Sequence, residues 1–259
     1  MENEHVNFDE IRNQIKPFDI ISFKGADAVS SIISSFQKYF LGSDEVSHVG
    51  MVVTSEILPY YTINGAQKFL DSEEIYVFES TIPYNIGLNL EVSPDVLTGQ
   101  GQMGVQIRKL KDVVLSYTKD GKSSVAWCKL IGNPFNDNNK DFLSIMFQEI
   151  FHEYYNRMYD LSFISLASAI FPKMRGIRAV RDFIYYNLYK LSNYLGFSSQ
   201  ESLGPLGWQF CSELMANIYI ELGIIDPSTD PRNVVPVDFF GFDKDGLPRI
   251  AERPIYLMS

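Results

Sequence analysis

The sequence predicts an α+β fold, with a sheet-rich first half and a helix-rich second half. Short apolar or alternating runs, typical of strands, recur between residues 18 and 130, whereas apolar residues follow helical spacing from residue 141 onward. The chain has 259 residues, of which 46% are hydrophobic, enough for one large core that carries an insertion. We therefore expect a single domain over residues 1–259.

Five segments of the first half are predicted as strands, because each is short and rich in β-branched or alternating apolar residues. They are Phe18–Phe23, Val49–Thr54, Ile75–Ser80, Gly104–Leu110 and Ser124–Leu130. Between the first two, apolar residues at three-and-four spacing predict a helix over residues 29–40, which Gly42 ends. The chain is thus expected to open with a strand, a helix and a second strand.

Helical patterns dominate the second half. One apolar stripe begins at Phe142 and runs toward Tyr154 and Met158, and another helix is predicted over residues 178–195. A third stripe runs from Phe210 to Leu222 and is followed by Gly223, a typical helix stop. Cys211 therefore lies at the N-terminus of a predicted helix.

The composition excludes some classes of function. A formal net charge of −10 argues against a general nucleic-acid binder, because that affinity comes from Lys and Arg. Residues 1–13 are polar and acidic, so no Sec-type signal is predicted. The longest largely apolar stretch, Leu161–Phe171, is too short for a transmembrane helix. With two cysteines, we expect a soluble or peripheral protein in a reducing compartment such as the cytoplasm.

Cys211 is the candidate nucleophile. A thiol reacts as the thiolate, and the free N–H groups and dipole of a helix N-terminus favour that anion. The same N–H groups can hold the oxyanion that forms when a thiolate attacks a carbonyl. The alternative is a buried structural cysteine, the interpretation that we prefer for Cys128, because Cys128 lies within an alternating strand.

His48 is the candidate base among the three histidines of the chain. His5 falls in a segment that we expect to fray. His152 falls on a helix that lacks the second histidine a zinc-binding helix carries one turn later, and we expect it to be a surface residue. His48 directly precedes the strand Val49–Thr54, where a sheet can hold an imidazole rigidly. Taken alone, a purely structural histidine remains an equal alternative.

A series of short motifs follows along the chain. They are Pro17–Phe23, Ser31–Ser34, Ser47–Val53, Tyr76–Ser80, Gly104–Ile107, Tyr159–Phe163, Phe210–Leu214 and Val235–Asp238. In this order they resemble the signatures of the circularly permuted NlpC-type papain-like hydrolases. That group includes bacterial YiiX-like proteins, a poxviral branch and, more distantly, lecithin:retinol acyltransferase-like enzymes, so the resemblance leaves both a bacterial and a viral source open.

The resemblance implies a permuted papain-like core, in which an antiparallel sheet packs against the helix that bears the nucleophile. It assigns Cys211 as nucleophile, His48 as base and Glu79 as the acid that orients the histidine. The implied activity is that of a cofactor-free, metal-free thiol hydrolase, which cleaves an amide or peptide-like bond through an acyl-enzyme. Two alternatives keep the same residues: an acyltransferase or lipid-ester hydrolase, and a catalytically idle binding scaffold.

The chain departs from compact bacterial members of this group in the long stretch before Cys211. We predict that residues 164–207 form a helical insertion that serves as a lid, an interaction surface or an extra core layer. It contains the basic residues Lys173, Arg175, Arg178 and Arg181, which favour peripheral contact with an anionic membrane or a protein. The expected substrate is a peptide, an amide or an acyl lipid. The sequence predicts no oligomeric state.

Overall fold

A computed structural model describes residues 5–25, 30, 34–35, 37–38, 46–63, 66–81, 93–100, 104–119, 121–155, 157–159, 208–241 and 247–258. Within these ranges strands and helices are both present and the fold is α+β, as predicted. The predicted insertion over residues 164–207 and most of the helix predicted over residues 29–40 lie outside the described residues. No helix within the described ranges is long and apolar enough to cross a membrane.

The described residues form both strands and helices, numbered in chain order. The strands are β1 (His5–Asn7), β2 (Ile20–Lys24), β3 (His48–Val53), β4 (Tyr60–Ile63), β5 (Ala66–Phe69), β6 (Tyr76–Thr81), β7 (Gly104–Lys109), β8 (Ser124–Cys128), β9 (Met158–Tyr159), β10 (Trp208–Gln209) and β11 (Ile255–Met258). The α-helices are α1 (Phe8–Ile11), α2 (Leu110–Thr118), α3 (Lys140–Tyr154) and α4 (Cys211–Glu221). Short 3-10 helices lie at Arg12–Gln14, Pro231–Asn233 and Pro236–Phe240.

The main sheet contains seven strands in the order β1-β11-β8-β2-β3-β6-β7. The pair β1 and β11 is parallel, and all other neighbours in this sheet are antiparallel. Strands β3 and β6, which carry His48 and Glu79, are direct neighbours. Neighbouring strands lie about 4.8 Å apart, so long side chains on them can meet.

All five predicted strands are present, with ends that differ from the prediction by at most two residues. The largest shift at a strand start is at β2, which begins at Ile20 because Phe18 has a φ of +69° and interrupts the extended run. The sequence predicts that helix α3 runs toward Tyr154 and Met158; the structure confirms it as far as Tyr154, whereas Met158 lies in a strand. The helix ends at Tyr154, because Tyr155 is extended and its hydroxyl donates to Oδ1 of Asp95 at 3.0 Å.

The alternation of side chains along the strands divides the buried residues between two cores. Val49 and Met51 of β3 pack into one core, together with residues of α3 and α4. Val52 of the same strand packs into the other core, with residues of α1 and α2. Helix α4 contacts β3 and β6, so the sheet packs against the helix that begins at Cys211, as predicted.

The N-terminal segment differs from the prediction. His5 was expected to lie in a frayed end, but it belongs to β1, pairs with Tyr256 of β11 and stacks its ring on that tyrosine at 5.4 Å between centroids. In the sheet order, four strand spacings separate β1 from β3, or roughly 19 Å. His5 therefore lies too far from His48 to share its site.

Candidate active site

Cys211 is the first residue of α4 and is 2% exposed. The residue before it, Phe210, has an extended backbone (φ −71°, ψ 159°) and provides no side-chain cap for the helix. The side chain of Phe210 therefore accepts no hydrogen bond from the first-turn N–H groups, and these groups concentrate positive potential beside the thiol. The thiol occupies the position that most favours an anion on this helix.

The start of α4 is held in place from the chain that follows it. Ser212 donates a hydrogen bond from its hydroxyl to the carbonyl of Val234 at 2.7 Å, and both residues are buried. Val234 follows the 3-10 helix Pro231–Asn233, which also packs on α4. The first helical turn, and with it the thiol, is thereby fixed against an ordered segment.

His48 is the first residue of β3, and its neighbours fix its ring. The N–H of Ser47 donates to the carbonyl of Phe23 at 2.8 Å, and the hydroxyl of Ser47 accepts from the N–H of Gly25 at 3.0 Å. The imidazole packs on the ring of Phe23, with centroids 4.9 Å apart. Its side chain is 10% exposed, so the imidazole retains a narrow opening to solvent.

Glu79 lies on β6 with no exposed surface. Its Oε2 atom is 2.5 Å from Nε2 of His48. The same imidazole also interacts with the Cys211 thiol, which raises the pKa of His48. Because Glu79 engages Nε2, the nitrogen that remains for the thiol is Nδ1. The structure thus brings together all three site residues that the sequence predicts, while their chemical roles stay predictions.

Burial, Cys211 and Glu79 act in different directions on the pKa of His48. Burial lowers it, but the charge of Cys211 and the hydrogen bond to it raise it, as do the hydrogen bond and charge of Glu79. The two partners win, and the pKa of His48 rises from 6.5 to about 10. The protonated form of the imidazole is therefore stabilised by its two partners.

Arg108 on β7 is a site residue that the sequence analysis missed. Its Nε and Nη2 atoms donate to Oε1 of Glu79 at 2.7 and 2.5 Å, and the side chain has no exposed surface. Burial raises the pKa of Glu79, but the charge of Arg108 and the contact with His48 outweigh burial and lower it. The alternation of the Gly104–Leu110 segment was the available signal, since it puts Arg108 on one face of a predicted strand.

His152 and Cys128 have the surroundings that their sequence patterns predict, and the buried Asp19 has a structural role. His152 is exposed on α3. Cys128 is fully buried 3.6 Å from the hydroxyl of Ser22, and burial raises its pKa to about 12 despite that hydrogen bond. Asp19 is buried and accepts hydrogen bonds from Trp127, Leu130 and other groups, so it anchors the fold. No group of three or more His, Cys, Asp or Glu side chains suited to a metal occurs among the described residues.

Helix α4 and strand β3 are also connected away from the candidate site, through Phe18. The N–H of Phe18 donates to the carbonyl of Val52 on β3 at 2.9 Å. Its carbonyl accepts from the hydroxyl of Tyr219 on α4 at 2.8 Å. One residue in the left-handed region therefore joins the element that carries the thiol to the element that carries the imidazole.

No protein-family model matches this chain, and no curated protein matches its sequence. The arrangement of Cys211, His48, Glu79 and Arg108 is the feature of this chain that points to a function.

Proposed function

We propose that this protein is a thiol hydrolase of the permuted NlpC-type group that cleaves an amide or peptide-like bond. The observation that carries the proposal is the contact series from Cys211 through His48 to Glu79, which is buried and begins at a helix N-terminus. A structural cysteine needs neither an imidazole nor an orienting carboxylate, whereas a nucleophilic cysteine needs both. We further propose that it acts in a reducing compartment such as the cytoplasm, where a thiol nucleophile stays reduced.

In the first step, His48 already carries the proton taken from the Cys211 thiol, and the Cys211 sulfur attacks the carbonyl carbon of the substrate. The carbonyl π electrons move to oxygen, and the first-turn N–H groups of α4 are the donors placed to receive that oxyanion. The negative charge of Glu79 stabilises this imidazolium and holds the ring with one nitrogen toward the thiol.

In the second step, the tetrahedral intermediate collapses and the C–N bond breaks. The imidazolium of His48 gives its proton to the leaving amine, which leaves a thioester on Cys211. Water then attacks the thioester while His48 takes a proton from it, and the carboxylic acid product leaves as the thiolate re-forms. If an amine or alcohol attacks in place of water, the same residues perform acyl transfer.

Alkylation of the two cysteines tests the nucleophile directly. With limiting iodoacetamide at neutral pH, we expect Cys211 to be labelled at least about ten times faster than Cys128, because a thiolate beside imidazole reacts faster than a buried neutral thiol. Peptide mass mapping reads out both sites. Equal rates, or faster labelling of Cys128, would remove Cys211 as the nucleophile and favour the idle scaffold.

Turnover tests the reaction class. Against a panel of peptide amides, acyl amides and lipid esters, Cys211→Ala should lower kcat/KM by about 10³ or more, because the bond-forming atom is gone. Cys128→Ala is the matched control and should retain activity. A product in which an added amine carries the acyl group would show acyl transfer, and a Cys211→Ala protein with full activity would refute the proposal.

A further inference from the structure

The buried ion pair between Arg108 and Glu79 continues the contact series beyond the three residues of the proposed mechanism. Both side chains have zero exposure, and they come from adjacent strands, β7 and β6. Burying two charges is costly unless geometry and hydrogen bonding are good, and a well-packed apolar pair is often as stable. A sheet that needed only stability at this position would not require an ion pair.

The two carboxylate oxygens of Glu79 are divided between two partners. Oε1 accepts two hydrogen bonds from Arg108, and Oε2 faces Nε2 of His48. The guanidinium therefore fixes the rotation of the carboxylate, because turning it would break both bonds to Oε1. Arg108, bound to Oε1, therefore holds the Glu79 carboxylate in the orientation that points Oε2 toward His48.

The charge of Arg108 depends on Glu79 in turn. Among the described residues, Glu79 is the acid that pairs with Arg108, and the Nη1 atom of Arg108 is buried there without a hydrogen-bond partner. Protonation of Glu79 would leave the guanidinium as an uncompensated buried charge. The pair is therefore most stable with Glu79 ionised.

We propose that Arg108 is a positioning residue, which acts through Glu79 to keep that carboxylate ionised and turned toward His48. The importance of this role for turnover rests on the proposed function. The contacts among Arg108, Glu79 and His48 themselves do not depend on whether Cys211 reacts. The charged and titratable groups that face Glu79 in the described structure are Arg108 from β7 and His48 from β3, and Cys211 from α4 faces His48.

The sign of one measurement separates this role from its alternatives. A cation that acted on His48 directly through space would repel the imidazolium, so its removal would raise the pH at which His48 titrates. A cation that acts through Glu79 supports the imidazolium, so its removal lets Glu79 bind a proton and lowers that pH. A purely structural Arg108 would change thermal stability and leave the titration in place.

The experiment follows the C–H resonances of His48 by NMR against pH in the full chain with Cys211→Ala, which removes the thiolate. We expect Arg108→Met to lower the His48 midpoint by about one pH unit or more, and Arg108→Lys to restore most of it. In a Glu79→Gln background, Arg108→Met should not lower the midpoint further. A midpoint that stays or rises in Arg108→Met would overturn the proposal.

Two variants guard against misfolding and against general charge effects. Lys109→Met removes the next cation on β7, which pairs with Glu74 and not with Glu79, so the His48 midpoint should not change. Should Arg108→Met fail to fold, the Glu79→Gln/Arg108→Met protein replaces the pair with neutral groups and should recover thermal stability. The proposal then requires a second neutral variant that keeps Glu79, Arg108→Gln, to have a lower His48 midpoint than Arg108→Lys, and equal midpoints would overturn it.

The proposed function and this role fail in different measurements. Slow alkylation of Cys211 in the otherwise unchanged protein would remove the hydrolase while the His48 titration still reports on Arg108. A reactive Cys211 combined with an unmoved His48 midpoint in Arg108→Met would remove the role of Arg108 and leave the hydrolase intact.

Discussion

Gly50 on β3 lies directly against Glu79 on β6, and a Cβ atom added to Gly50 would stand 3.1 Å from the Cβ of Glu79. The same added atom would come within 2.6 Å of Cγ2 of Val77, closer than real contacts allow. Because Met51 pairs with Phe78 in an antiparallel register, Gly50 lies opposite Glu79. His48 lies two residues before Gly50 and therefore on the same face of β3. The missing side chain leaves the space through which the carboxylate reaches the imidazole.

The first prediction is that Gly50→Ala reduces activity. The new methyl group must push Val77 or Glu79 aside, so we expect about 1–3 kcal/mol of destabilisation and a fall in kcat/KM of about 10²-fold. Turnover kinetics and urea unfolding measure the two effects. Gly121→Ala is the control, because its φ of +64° strains an alanine in open space. It should lose about 1 kcal/mol and keep its activity. Full activity in Gly50→Ala would contradict this account.

The second prediction concerns the alkaline limb of the rate profile. His48 must be protonated to supply the leaving amine with a proton, and its pKa is about 10. The imidazolium is present below that pH and is lost above it, so kcat/KM for an amide should fall about tenfold per pH unit beyond it. Alkylation of Cys211 needs no general acid and should not fall. Circular dichroism at each pH excludes unfolding, and amide hydrolysis that keeps rising through this range would refute the assignment.

The third prediction concerns stability in acid. The pKa of Glu79 is lowered from 4.5, so near that pH the unfolded chain binds this proton more readily than the folded chain. The stabilisation is therefore present above about pH 4.5 and is lost as the pH falls below it. At pH 7, Glu79→Gln should be less stable by about 3 kcal/mol or more, because it leaves Arg108 unpaired.

Urea unfolding at several pH values checks this third prediction. The difference between wild type and Glu79→Gln should shrink as the pH falls below 4.5. Glu74→Gln is the matched control, because its pair with Lys109 is partly exposed and should contribute no more than about 1 kcal/mol. A difference that stays constant down to pH 3 would show that the pKa of Glu79 is not lowered in the folded chain.

The candidate site could be predicted from the sequence only in part, and the limit has a physical cause. The positions of Cys211, His48 and Glu79 follow local patterns in the sequence. Cys211 starts a helix, His48 lies at the start of a strand, and Glu79 lies near the end of another. The contact of Arg108 with Glu79 depends on the register between β6 and β7, which are separated by more than 20 residues of chain. Local periodicity contains no information about register.

The fold shows the same limit. Strands β2, β3, β6, β7 and β8 were predicted because their apolar runs are visible locally. Strands β1 and β11 were missed because β1 is three residues long and pairs with residues at the opposite end of the chain. Helix α2 was missed because it starts at Leu110, directly after β7, and buries Leu110, Val113 and Val114 within nine residues, too few for a clear helical stripe.

Because Phe18 connects α4 to β3, the distance between the thiol of Cys211 and the imidazole of His48 depends on the angle between these two elements. Tyr219 lies eight residues along α4 from Cys211, about 12 Å, and Val52 lies four residues along β3 from His48, about 13 Å. The contacts of Phe18 therefore lie at nearly the same distance from Cys211, along α4, and from His48, along β3. A rotation of about 5° of α4 or β3 about Phe18 would displace Cys211 or His48 by about 1 Å, and a displacement of that size can lower the rate of an enzyme strongly. If the proposed function holds, we expect substitutions near Phe18 to change the rate by changing the angle between α4 and β3.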